Sequence, residues 1–156
     1  PDLLDIMYAP FHVDWRGDHP DGQQPWYDIP MLTAHDGQIA ARITNRSFME
    51  SVSRYGEELA LNDAQREALD IFQEISNREE LRLKMDFQPG DMQYINNHTV
   101  LHARQAYEDY EDPALKRHLL RVWVALPDGK RRTLAPALDE RYGLVEMGGI
   151  PKQAAA

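Results

Sequence analysis

The apolar residues change period between residues 62 and 87, and no other feature limits the fold as much. From Asn62 to Ser76, Ala64, Ala68, Leu69, Phe72 and Ile75 recur at helical spacing, with Asn62 at the N-cap and Gln65 three residues on. Leu81, Leu83, Met85 and Phe87 then alternate with Arg82, Lys84 and Asp86, which predicts a half-buried strand. Beyond the Gln88-Pro-Gly-Asp91 turn, Met92 to Tyr107 reads as strand, a histidine-bearing stretch, then strand again. A strongly β-prone run, Arg117 to Leu126, follows the acidic Glu108 to Pro113 turn. Helices early and antiparallel-type strands late predict an α+β domain, a β-sandwich or barrel with covering helices.

The remaining segments are short. Residues 1 to 37 are rich in Pro, Gly, Asp and His and predict a long ordered loop with at most short strands. Loops of that length commonly line sites. Gln38 to Thr44 predicts a strand, Ser47 to Tyr55 a helix capped by Ser47 with Glu50 in the capping-box position, and Pro136 to Tyr142 a last short helix. No repeat or low-complexity segment interrupts the chain, so a single domain over residues 1–156 is expected.

Charge and cysteine usage narrow the function classes. A net charge of −9 argues against nucleic acid and anionic membrane as partners, which need concentrated positive charge. The one dense basic run, Lys130-Arg131-Arg132, follows Pro127-Asp128-Gly129 and reads as a solvated turn. With no cysteine there is no disulfide, thiolate metal site or thiol nucleophile, and a cytoplasmic, reducing location is expected. No stretch approaches the roughly 20 apolar residues of a membrane span, and no leader pattern is visible. The chain opens Pro1-Asp2-Leu3 without methionine, so a processed or truncated piece is expected.

Two segments carry candidate chemistry. In extended backbone, side chains two apart share a face, which would align His98, Val100, His102 and Arg104. A neutral imidazole there is either a ligand for Fe(II) or Zn(II) or a hydrogen-bonded structural residue. Arg117 and Arg121, four apart with Leu119 between them, share a face of the next strand. Two inward guanidinium groups need anions, and arginine is suited to bidentate carboxylate recognition. The alternative is a surface pair meeting the acidic residues of the Glu108 to Asp112 turn. Trp26, Tyr27, Tyr94 and Trp123 read as core or loop-anchoring aromatics.

Together these segments resemble the taurine dioxygenase (TauD/TfdA) family of Fe(II)- and 2-oxoglutarate-dependent dioxygenases. Asn97-His-Thr-Val-Leu-His102 is similar to the family's Asn-x4-His element, and Arg117-His-Leu-Leu-Arg121 to its Arg-x3-Arg element. The Pro10 to Pro30 loop, the His35-Asp-Gly37 turn, Phe87-x-Pro-Gly-Asp91 and Ala137 to Gly143 extend the likeness over most of the chain. The resemblance implies a double-stranded β-helix (jelly-roll, clavaminate synthase-like) fold, of which this is the C-terminal portion. It implies His102 as the distal iron ligand and Arg117 as the partner of the 2-oxoglutarate distal carboxylate. Arg121 would lie beside it, facing the cosubstrate or an anionic substrate group. Asn97, His98 and Arg104 are candidates for orienting His102 or meeting substrate, with turn geometry or an Arg104 ion pair to Glu108 or Asp109 as the alternatives. The implied partners are dioxygen and a small, anionic organic substrate.

The chain departs from the family at the other two iron ligands, a His-x-Asp motif well upstream of the distal histidine. His12-Val-Asp14 and His19-Pro-Asp21 both lie in the loop that follows the true motif in the family, and each reads as a decoy. The N-terminal part bearing the motif is therefore expected to be absent. The chain would then need that missing part or a second copy of itself, and alone it would be inactive. Two rival readings stay open: a catalytically inactive jelly-roll binding or structural module, and a self-sufficient metalloenzyme, including a zinc hydrolase, using His12 or His19, His102 and a carboxylate.

Overall fold

The computed structural model describes residues 2–19, 21–122, 124 and 132–142. Pro1, Pro20, Trp123, Lys130, Arg131 and Gly143, and most of the predicted strand beyond Val122, lie outside the described residues. The chain divides into two units, Pro1–Val100 and Leu101–Ala156.

The first unit opens with a helix that the composition of residues 1 to 37 does not predict. Helix α1 (Leu3–Tyr8) is capped by the Asp2 carboxylate, which accepts from the Leu4 N–H at 3.1 Å. Strand β1 (Pro10–Asp14) follows and pairs antiparallel with β2 (Trp26–Pro30), setting Phe11 opposite Ile29 and His12 opposite Asp28. Phe11, Val13 and Ile29 are buried, while His12 and Asp28 face outward. That is the alternation of a two-sided sheet.

Strands β3 (Leu32–His35) and β4 (Gln38–Ala41) form a second hairpin, joined by Asp36 and Gly37. Both loop residues have positive φ, 48° and 71°. This is the two-residue geometry whose twist matches that of the strands, and Asp-Gly is well suited to it. The predicted strand over Gln38 to Thr44 thus stops at Ala41. The far edge of β4 gains one further rung, the Ala41 N–H donating to the His98 carbonyl at 3.1 Å.

The predicted helix over Ser47 to Tyr55 is two pieces. Helix α2 (Arg46–Glu50) is capped by Asn45, not Ser47, and continues as a 3-10 helix over Ser51–Tyr55. Helix α3 (Asp63–Ser76) forms as its period predicts. The Asn62 side chain accepts from the Gln65 N–H at 2.9 Å, and the Gln65 side chain accepts from the Asn62 N–H at 3.1 Å. Ala68 and Leu69 are the buried centre of its stripe. Helix α1 packs against α3, while α2 and the 3-10 helix pack against β1. Phe11, Val13, Ile29, Met31, Met49 and Val52 form the centre of this core.

The strands predicted over residues 81–87, 92–107 and 117–126 form no ladder among the described residues. The alternating residues are present, but a strand exists only where another backbone satisfies its N–H and C=O groups. Here Leu83 is 85 % exposed and Tyr94 88 % exposed, so Tyr94 is not a core aromatic. Among the described residues the sheets are the two hairpins, giving an α+β arrangement of small antiparallel sheets and helices.

In the second unit, Asp112 caps a 3-10 helix over Pro113–Leu115, and helix α4 (Pro136–Tyr142) forms where predicted. Leu134, Ala135 and Leu138 are buried. No helix among the described residues is long and apolar enough to cross a membrane.

Candidate functional site

The outer turn that precedes His102 is built by asparagine. The Asn96 carboxamide oxygen accepts from the His98 N–H at 3.1 Å, and the Asn96 carbonyl accepts from the Thr99 and Val100 N–H groups, both at 3.0 Å. Asn side chains favour such turns because they imitate a backbone acceptor. Asn97 and His98 therefore sit in a turn and not in extended chain. The expectation that His98 shares a strand face with His102 is corrected, since a turn breaks the period of two. Asn97 and His98 are half-buried and belong to the first unit, while His102 is exposed and belongs to the second.

Two arginines of the second unit converge on one ring. Arg104 and Arg117 both place their guanidinium carbon over the face of Tyr107, at 4.9 Å and 5.3 Å from the centroid. These are within the range of a cation–π attraction. The Arg117 N–H donates to the Asp109 carboxylate at 2.9 Å, so Arg117 is tied to the acidic turn through its backbone. Arg104 rests on Tyr107, where an ion pair with Glu108 or Asp109 had been the alternative. Arg121 is exposed.

The first upstream His-x-Asp string has other work. His12 Nδ1 lies 2.5 Å from the Asp28 carboxylate across the β1–β2 pair. Asp14 is 2 % exposed and heavily occupied. It accepts from the Arg16 N–H at 2.7 Å, the Ser51 hydroxyl at 2.7 Å and Arg54 Nη2 at 2.9 Å, with the Tyr55 hydroxyl at 3.4 Å. Burial alone would raise its carboxyl pKa, but these four donors outweigh burial and hold it below the ordinary carboxylate value. A carboxylate so satisfied is a structural anchor for the 3-10 helix and has little left to offer a metal. The sequence gives no sign of this network beyond the presence of Ser51, Arg54 and Tyr55 at 3-10 spacing. His19 is half-buried, with Nδ1 shielded from solvent.

Aromatic contacts anchor the loop between β1 and β2. Trp15 meets Tyr27 edge to face at 4.8 Å, and Trp26 stacks on Tyr55 at 5.9 Å. Among the described residues, no three His, Asp or Glu side chains gather into a metal-binding group. His102 can fill one coordination position, and Arg117 and Arg121 suit a carboxylate.

Comparison with known proteins shows the family. The family described as "Taurine catabolism dioxygenase TauD, TfdA family" matches residues 1–123, a span that includes His102, Arg117 and Arg121. FR-33289 synthase of Streptomyces rubellomurinus is 37% identical over 134 residues, covering 84% of this chain and 39% of that protein. The taurine hydroxylase-like protein SAT17 of Stachybotrys chartarum is 31% identical over 143 residues, covering 90% of this chain and 35% of that protein. The chain thus spans well under half the length of these relatives.

Proposed function

The chain belongs to the taurine catabolism dioxygenase TauD, TfdA family, and from that membership we propose that it is the C-terminal portion of an Fe(II)- and 2-oxoglutarate-dependent dioxygenase. The observation that carries this reading is the family match over residues 1–123, a span within which Asn97-x4-His102 and Arg117-x3-Arg121 stand in the sequence. His102 is the distal iron ligand, Arg117 holds the distal carboxylate of 2-oxoglutarate, and Arg121 faces the cosubstrate or an anionic substrate group. The chain's donors fit the cosubstrate and one iron position. The other iron ligands belong to a His-x-Asp motif in polypeptide outside this sequence.

Bound iron and 2-oxoglutarate would supply the oxidising chemistry by which dioxygen hydroxylates a small, anionic organic substrate. This chain's own residues anchor and orient. Arginine's planar fork fixes a carboxylate bidentately, so it sets the direction of the cosubstrate as well as holding it. The strand-prone segments between residues 81 and 124 would complete a jelly-roll against strands from the rest of the enzyme or from a second copy, removing open strand edges. A soluble, cytoplasmic enzyme is the corresponding setting, with neither nucleic acid nor membrane as partner.

A second reading is an inactive jelly-roll binding or structural module. Such a module would keep the fold and lack the iron site. Anaerobic titration of Fe(II) and 2-oxoglutarate, following the visible metal-to-ligand charge-transfer band, separates the two. A band in the full-length polypeptide that weakens in Arg117→Ala, and is absent from this chain alone, supports the dioxygenase. No band in either selects the inactive module. A band from this chain alone shows a complete centre and revives His12 or His19 as ligands.

A further inference from the structure

One aromatic ring in the second unit receives two cations, and one of these is the arginine assigned to the cosubstrate. Tyr107 lies ten positions before Arg117, across the Glu108 to Pro113 turn, and its ring faces the Arg117 guanidinium at 5.3 Å. The same turn supplies Asp109, whose carboxylate accepts the Arg117 N–H at 2.9 Å. Both the side chain and the backbone of Arg117 are therefore restrained by residues of one short loop. Tyr107 is 46 % exposed, so its ring is not core filling.

We infer that Tyr107 is a positioning residue for Arg117, holding the guanidinium ready for a carboxylate of 2-oxoglutarate. The inference rests on the assignment of Arg117 under the proposed function. Its logic is geometric. An aromatic ring attracts the face of a guanidinium, whereas a carboxylate binds its N–H edge, so the two contacts do not compete. A long side chain restrained before its ligand arrives loses less conformational freedom on binding. Arg104, over the same ring at 4.9 Å, brings a second positive charge to the same surface and favours a dianionic ligand over a monoanionic one. The ring alone is needed for this, so phenylalanine should serve in place of tyrosine.

The test is calorimetric titration of 2-oxoglutarate into the full-length, Fe(II)-loaded polypeptide under anaerobic conditions. Tyr107→Leu should weaken cosubstrate binding by roughly twofold to fivefold, the scale of one exposed cation–π contact, while Fe(II) affinity measured without cosubstrate stays unchanged. Tyr107→Phe should restore the native affinity. The Arg117 Nε–Hε resonance should lose its ring-current shift in Tyr107→Leu and keep it in Tyr107→Phe. If Arg117→Ala weakens binding but Tyr107→Leu does not, the positioning role falls and the assignment of Arg117 stands. If Arg117→Ala leaves binding unchanged, the assignment falls and the positioning role with it. A parallel loss of Fe(II) affinity in Tyr107→Leu would also overturn the inference, because it would mark a general structural role.

Discussion

Asp14 and Arg54 form an ion pair of unequal burial, with Nη2 and Oδ2 2.9 Å apart, the carboxylate side chain wholly enclosed and the guanidinium 52 % exposed. The two members should therefore respond differently to removal. Asp14→Ala leaves the Arg16 N–H without its carboxylate acceptor and the Ser51 hydroxyl with only the Phe48 carbonyl at 3.4 Å, and should cost about 1–3 kcal/mol. Arg54→Ala leaves a carboxylate that still accepts from both, and its effect should be smaller. Urea unfolding of the two variants checks the order.

The same carboxylate fixes the direction of an acid response. Its pKa lies below the ordinary 3.8, since its four donors outweigh the opposing effect of burial. The folded state then holds that proton less tightly than the unfolded state. Its stabilisation is fully present above about pH 4 and is lost as pH falls through the lower folded value. Stability measured from pH 6 down to pH 2 should fall, and Asp14→Asn should flatten part of that fall. An identical acid limb in the variant would show that Asp14 is not responsible.

The capping box of α3 should be measurable in isolation from the candidate site. Asn62→Ala removes the acceptor for the Gln65 N–H and should cost about 1 kcal/mol. Thermal denaturation followed by circular dichroism reads this, and a change in 2-oxoglutarate binding is not expected.

The histidines should divide by role. His12→Ala together with His19→Ala should leave Fe(II) affinity of the full-length polypeptide unchanged, since His12 is engaged with Asp28 and Asp14 with Arg54. His102→Ala should reduce that affinity by tenfold or more, on the scale of even an outer-shell ligand change. Anaerobic metal titration distinguishes them, and a loss in the His12/His19 variant would restore the self-sufficient metalloenzyme reading.

Local signals were legible in the sequence and distant pairings were not. Helix α3 and its cap are set by residues within four positions of each other, so periodicity and Asn62 sufficed. The Asp36-Gly37 turn likewise declares itself. Helix α1 did not, because six residues are too few to show a period and only Asp2 marks its start. Leu81 to Phe87 was legible as an alternation but not as a ladder, since pairing depends on a partner that no local pattern names. His12-Val-Asp14 reads as a decoy from its place in the loop, but what Asp14 does instead was not legible, because its side-chain partners stand 37 to 41 residues away. The spacing of Arg117 and Arg121 marks a shared face in extended chain but leaves open a surface pair, and their assignment comes from the family resemblance. Tyr107 was missed because its role appears only once the Glu108 to Pro113 turn brings it under Arg117.

The rung between the Ala41 N–H and the His98 carbonyl gives this segment a clock. That amide proton can exchange with solvent only when the Asn96 turn lifts away from the β3–β4 hairpin. Its deuterium uptake would therefore time any opening of the stretch that leads into His102, read at one backbone position.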